Sequence, residues 1–383
     1  MGKYTNVLYE KAARMTTVVC GFLFSLFSFV YLYVFQRDVL EALHFSLAHG
    51  KTHFAPMGSA VVITLILLLL RWGVNSLLGL KGYIRSLSYL PSFLVLCALT
   101  DVGRTVYMSA YHTVWSWLLP VLILIFVVFA YWLRGLYRNQ LNTEGSRLGL
   151  VNYNLLILFV QCLMTVLVGN TNRAFHHELE VERYLRDREY VEALEVGKRS
   201  LESTHTLTAL RAMAMAHAKL MGEKLFEYPQ YYGVDGLFFD EDSTAVLRFT
   251  NDSVYDLLGG KPYVGDKPLD YLSELCYTGR GKYIALDYYL AGLLLDKQIN
   301  KFAQIIDDFY ESEDSLPRYY REAMAIYRSN HSDSVFVRND SVMQEKYIRY
   351  KTRQTEFASP LEEQNYMKRE FGDTYWWYFD YQK

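Results

Sequence analysis

The run Thr16-Thr-Val-Val-Cys20-Gly-Phe-Leu-Phe24-Ser-Leu-Phe-Ser28-Phe-Val-Tyr31-Leu-Tyr-Val-Phe35 holds 20 residues without a charge. An α-helix needs about 17–25 mostly apolar residues to cross roughly 30 Å of hydrocarbon. The run therefore reads as a membrane span. Four further stretches of this kind follow at residues 54–70, 86–102, 112–133 and 148–168. Tyr31, Tyr33, Trp72, Tyr89, Trp115, Tyr131 and Trp132 sit near the span ends, where amphipathic rings anchor at headgroup level. The first span reads as an uncleaved anchor, because Gln36-Arg37-Asp38 offers no small-residue cleavage site after it.

Charge divides the 383 residues near Gly169-Asn170. Residues 1–169 carry 12 basic and five acidic side chains, whereas residues 170–383 carry 27 basic and 36 acidic ones, a net charge near −9. Two domains are expected, a transmembrane one over 1–169 and a water-exposed one over 170–383. The acidic half argues against nucleic acid as a partner, since phosphate binding needs a basic surface. Cys20, Cys97 and Cys162 lie in apolar stretches, so Cys276 has no partner for an intradomain disulfide and reads as core filling.

The N-terminus and the second and fourth loops carry nine basic residues beside the spans, against three in the first and third loops. The positive-inside rule then puts the N-terminus in the cytoplasm, and five spans put residues 170–383 on the outer side, the periplasm of a Gram-negative bacterium. This side depends on the count, and one span fewer would reverse it. Residues 39–48 place Val39, Leu40, Leu43 and Leu47 at helical spacing. They predict a helix, lying along the interface or packed as a loop.

Ionisable groups within the spans are almost absent, although transporters and intramembrane enzymes usually need them. Asp101 and Arg104, spaced i and i+3, can pair on one helix face as an interfacial ion pair or a functional site. Asn154 and Gln161 share a face of the fifth span, which suits interhelical hydrogen bonding or a substrate path. The bundle reads as an anchor more than as a machine.

Beyond Arg173 the pattern turns to amphipathic helix. Residues 184–201, Tyr-Leu-Arg-Asp-Arg-Glu-Tyr-Val-Glu-Ala-Leu-Glu-Val-Gly-Lys-Arg-Ser-Leu, resemble the turn and second helix of a tetratricopeptide repeat. Tyr190, Ala193 and Leu201 match the aromatic, small and apolar packing positions, and Gly222, 34 residues after Arg188, matches a turn glycine. Thr204 stands where the repeat usually closes on proline. Helices are also predicted over residues 207–221, 283–296, 299–310 and from Pro317 to Tyr327. Residues 228–267, rich in Gly, Pro and Asp, read as an insertion with a short helix over 252–258. The fold class expected is all-α, a five-helix transmembrane bundle followed by an irregular, tetratricopeptide-like α-solenoid. Such a stack offers a concave face to a peptide, although a helical domain without a groove fits the same pattern. The aromatic tail from Thr374 to Tyr381 is too apolar to stay solvated and should fold back on the last helices.

Signatures of catalysis and cofactors are missing. His176-His177-Glu178 lacks the second zinc histidine, since Val181 stands at that position. Gly259-Gly260-Lys261 lacks the remaining elements of a phosphate loop. No cofactor is expected. Asp-Ser followed by an apolar residue or Thr recurs five times, placing Ser243, Ser253, Ser315, Ser334 and Ser341 in loops or helix starts. The pattern resembles the acceptor of a general bacterial O-glycosylation system. Asp and Ser are equally the preferred helix caps. Asn251, Asn330 and Asn339 also fit the N-x-Ser sequon, which matters only in a eukaryotic secretory lumen.

With residues 190–201, Leu225-Phe226-Glu227-Tyr228-Pro229 and Tyr375-Trp376-Trp377 in view, the chain resembles an uncharacterised family of bacterial inner-membrane proteins. These pair an N-terminal multi-span region with a periplasmic tetratricopeptide-like tail. The resemblance implies no activity and no catalytic residues. Besides the lipid bilayer, the expected partner is a protein or peptide of the cell envelope, held by a membrane-anchored scaffold. A transporter or membrane enzyme using Asp101, Arg104, Asn154 and Gln161 is the alternative.

Overall fold

Sustained helical periodicity leaves no alternating runs for strands, and every regular element among the described residues is a helix. The computed structural model describes residues 2–108, 113–138, 147–240, 247–311, 316–331, 340–357 and 359–382. The chain forms two compact units, one over Met1–His176 and one over His177–Ser243 and Leu247–Lys383.

The first unit contains α1 (Gly2–Val30), which runs into a π turn (Tyr31–Phe35), then α2 (Arg37–Ala48) and α3 (Pro56–Leu78). A 3₁₀ helix (Gly82–Tyr89) feeds α4 (Leu90–Thr100), and a 3₁₀ turn (Arg104–Tyr107) precedes α5 (Trp115–Arg138) and α6 (Arg147–Val168). Five segments are long and apolar enough to cross a membrane: Lys11–Phe35, Pro56–Leu78, Gly82–Thr100, Trp115–Leu136 and Gly149–Val168. The second runs eight residues past the stretch read from sequence, to Leu78, and so takes in Arg71. The fourth stretch read from sequence begins at His112, which lies outside the described residues.

The third segment is the central one. It is 56% buried, against 11–28% for the others. At about 2.0 Å per 3₁₀ residue and 1.5 Å per α residue it reaches roughly 32 Å, enough to span. Pro91 occupies the first turn of α4, where its missing N–H costs nothing. Phe24 on α1 packs on Tyr89 and Phe93, with ring centroids 4.8 and 5.1 Å away. At one end of the bundle the Tyr31 hydroxyl lies 3.4 Å from both Thr100 Oγ1 and the Thr165 carbonyl. A Cβ on Gly169 would meet that hydroxyl, so only glycine admits the contact. α2 is a packed helix: Val39, Leu40 and Ala42 are buried, and Ser46 Oγ donates to the Val106 carbonyl at 2.6 Å.

The second half contains α7 (Arg173–Asp187), α8 (Tyr190–Glu195), α9 (His205–Ala218) and α10 (Met221–Lys224), followed by 3₁₀ turns at Leu225–Glu227 and Gly233–Leu237. Then come α11 (Asn251–Leu258), α12 (Pro268–Tyr277), α13 (Ile284–Leu295), α14 (Ile299–Phe309) and α15 (Arg318–Asn330). The last helices are α16 (Ser341–Gln354), α17 (Pro360–Phe371) and α18 (Tyr375–Tyr381). α13 is apolar all round and buried except at Leu286 and Asp287, as a core helix must be.

Three helical hairpins turn alike. Arg188, Lys219 and Lys297 take left-handed φ of 62°, 58° and 58° after α7, α9 and α13. Each time the next N–H reaches back five residues, from Glu189 to Tyr184, Leu220 to Met215 and Gln298 to Leu293, at 2.8–2.9 Å. This is the Schellman cap, here built on a basic residue in place of glycine. The aromatic tail folds back: the Tyr375 and Tyr378 hydroxyls donate to the Leu294 and Leu295 carbonyls at 3.0 and 2.8 Å. The Leu294 carbonyl also accepts the Lys297 N–H at 3.1 Å, so the tail adds to the bonds made by the last-turn acceptors of α13.

Candidate functional site

The residues singled out from sequence separate into several places. Asp101 stands just past the end of α4 with φ −80° and ψ 63°, so it and Arg104 do not share a helix face. Asp101 instead accepts from Trp115 Nε1 at 2.8 Å. Asn154 is fully buried and clamps the start of the 3₁₀ helix: its Oδ1 accepts Ser86 N at 2.7 Å, and its Nδ2 donates to the Gly82 carbonyl at 2.9 Å. Gln161, two turns along the same face, is buried with no hydrogen-bond partner for its carboxamide among the described residues.

The tetratricopeptide-like positions also divide. Ala193 is fully buried, and Tyr190 stacks on His217 at 4.5 Å. Leu201 is 65% exposed and packs no core. The helix meant to carry it stops at Glu195, because Val196 is extended and Gly197 has φ +58°. The buried Arg211 guanidinium, 4.5 Å over the Tyr228 ring, holds that exit by donating to the Val196 carbonyl at 3.0 Å. Gly222 is not a turn residue either. It lies inside α10, where a Cβ would come within 2.6 Å of Pro317 and 3.0 Å of Tyr320. The turn belongs to Lys219.

Of the Asp-Ser serines, Ser243, Ser315 and Ser334 lie outside the described residues. Ser253 is spent in a capping box with Thr250, while Ser341 is exposed behind its N-cap Asp340. Asn251 makes two hydrogen bonds to the backbone of Phe239, at 2.7 and 2.9 Å. The His-His-Glu run is structural: His176 Nε2 lies 2.9 Å from the Asn170 carbonyl, and Glu178 accepts from Thr204. Burial pushes the Cys276 thiol up to about 11, which keeps it protonated.

The insertion between α10 and α12 builds what the sequence did not reveal, a cleft of about 830 Å³. Its floor is aromatic: Phe238 lies 6.2–6.3 Å from the rings of Tyr255, Tyr271 and Tyr288, and Tyr255 meets Tyr271 edge-on at 5.6 Å. Asn251 fixes this floor through Phe239. One wall carries Tyr232, Asp235 and Asp240, with His205 packed edge-on to Tyr232 at 4.8 Å and its Nδ1 3.5 Å from Asp240. The opposite wall is residues 261–266, where Tyr263 is 60% exposed and the Asp266 carboxylate accepts the Tyr263 N–H at 2.8 Å. Lys261 is tied to Asp252 at 2.6 Å. Burial holds the Tyr271 hydroxyl well above its ordinary range, so it stays a donor, to the Gly260 carbonyl. The arrangement offers apolar faces and carboxylate acceptors, which suit aromatic or cationic groups and repel anions. Among the described residues no cluster of His, Cys, Asp or Glu is placed to hold a metal ion.

Comparison with known proteins finds a match to a family of unknown function over residues 7–258 and 266–382. The unmatched residues between them, 259–265, fall on one wall of the cleft. No curated protein and no solved structure matches the chain. The chain belongs to this family of unknown function, DUF6057, along nearly its whole length.

Proposed function

We propose that the chain is a membrane-anchored binding protein of a bacterial inner membrane, in which an irregular, tetratricopeptide-like helical half faces the periplasm. Its cleft between His205 and Tyr271 takes a segment of an envelope protein or peptide bearing aromatic or basic side chains. The observation that carries this reading is the cleft itself, aromatic at its floor and acidic at its rim. Exposed Tyr232 and Tyr263 supply rigid contact area at low entropic cost. The three Schellman-capped hairpins support a repeat-like stack, and the nine-to-three bias of basic residues supports the orientation.

A photo-crosslinking residue at Tyr263 of the full-length chain, followed by mass spectrometry, tests the proposal. The expected result is a defined envelope protein or peptide whose capture disappears when Tyr232 and Asp240 are replaced by alanine. Adducts unaffected by those changes would overturn it. Protease added from the cytoplasmic side should leave residues 177–383 intact, and cleavage there would reverse the orientation. The transport reading draws on one observation, the unpartnered carboxamide of Gln161 inside the bundle.

A further inference from the structure

Four arginines lie within the apolar helices, Arg14, Arg71, Arg85 and Arg134; Arg14 is exposed, and two of the others share a ring. Arg71 is the sixteenth residue of α3, and Arg85 is the fourth of the 3₁₀ segment that opens the central span. The Arg71 guanidinium sits 4.7 Å over the ring of Tyr89, and Arg85 Nη1 lies 3.5 Å from the Ala13 carbonyl. Tyr89 closes the same 3₁₀ segment four residues after Arg85, so both arginines serve the entry of the central span.

Neither is neutralised by a carboxylate among the described residues. The Nε atoms of both arginines are buried without a hydrogen-bond partner, as is Oδ1 of Asn75, one turn beyond Arg71 on α3. Arg134, at the same end, is different: its Nη1 donates to the Leu78 carbonyl at 3.0 Å and so closes the C-terminus of α3. By chain order this end of the bundle carries nine basic residues and only Glu10 and Glu144 as acids.

Both side chains are half-buried, and a cation drawn partly out of water is costly unless an opposite charge meets it. Helix geometry says what kind of anion fits. Trp72, next to Arg71, is 68% exposed among apolar neighbours, as expected of a ring at headgroup level. Arginine stems reach from an apolar helix toward that level. Guanidinium forks match the oxygens of a phosphate.

We propose that Arg71 and Arg85 together seat the phosphate of an anionic lipid headgroup, framed by Tyr89 and Asn75, at the end of the bundle that carries the N-terminus. The lipid's acyl chains lie along the exposed apolar face of α3 beside Leu69 and Trp72. The seat fixes the third span against the first two through one charge cluster. It is independent of what the cleft binds.

Native mass spectrometry of the full-length protein in detergent tests this, with phosphatidylglycerol and phosphatidylcholine of identical chains as competing probes. Phosphatidylglycerol should be retained about tenfold better. Arg71→Gln and Arg85→Gln should each lower its retention roughly fivefold, and the double variant should bring it to the phosphatidylcholine level. Lys81→Gln, an exposed cation at the same end, should change it less than about twofold. Equal retention of the two lipids by the unaltered chain would overturn the proposal, with no variant needed. So would a double variant that still prefers phosphatidylglycerol, or millimolar inorganic phosphate that displaces the lipid and stabilises the protein as well as it does.

Discussion

The Asn154 side chain grips the backbone at Ser86, its Oδ1 accepting that N–H at 2.7 Å while its Nδ2 donates to the Gly82 carbonyl at 2.9 Å. One polar residue in α6 thus holds the 3₁₀ entry of the central span. Asn154→Leu would strand buried polar backbone, each such group costing about 1–3 kcal/mol. A lower melting temperature in detergent is expected, and an unchanged one would show that the clamp is dispensable.

Gly222 is set by contact with Pro317 and Tyr320, not by turn geometry. Gly222→Ala should destabilise the protein by about 1–3 kcal/mol through overpacking. Gly73, with nothing within 4 Å of a Cβ, is the comparison: Gly73→Ala should be neutral or slightly stabilising. Thermal melts of both variants distinguish packing from a general cost of replacing glycine.

Burial pushes the Glu322 carboxyl up to about 7, although Arg318 Nε at 2.9 Å and the Tyr375 N–H at 2.7 Å pull it down. An acid whose folded pKa exceeds its unfolded value stays protonated longer in the folded state. Its contribution is full below about 4.5, declines as pH rises to about 7 and is flat above. Asp287, pushed up to about 6 by burial, adds to the same slope. Glu322→Gln should flatten the decline between pH 5 and 8 by about 2.5 kcal/mol. Denaturation profiles at several pH values read the difference, and parallel profiles would refute the assignment.

At the cleft, Tyr263→Ala should weaken partner capture while moving stability by less than about 0.5 kcal/mol, since the ring is mostly exposed. Asn251→Ala should lower both capture and stability, because it releases the Phe239 backbone. Separate capture and melting measurements tell the two effects apart.

Much of the helical pattern was legible from local residues. The apolar runs, α13 and α14 and the folding back of the aromatic tail all follow from composition and period, which each segment carries by itself. The polar α16 and α17 were not, because their exposed faces dominate the signal and only Met343, Tyr347, Tyr350 and Met367 are buried. Leu201 was misread because the chain leaves the helix at Val196 and Gly197, an exit that Arg211, ten residues beyond Leu201, holds through the Val196 carbonyl.

The first span from Thr16 to Phe35 needed nothing beyond its own 20 residues, since the apolar length required to cross a bilayer is a local property. Which charges lie inside the helices needed the fold. Arg71 became part of a span only when α3 continued to Leu78, and Arg85 when the 3₁₀ entry packed under Asn154. The cleft is likewise tertiary: His205, Phe238, Tyr263 and Tyr271 come from four separate elements and loops. Periodicity describes one segment at a time, whereas burial of a charge or closure of a pocket depends on contacts between segments distant in sequence.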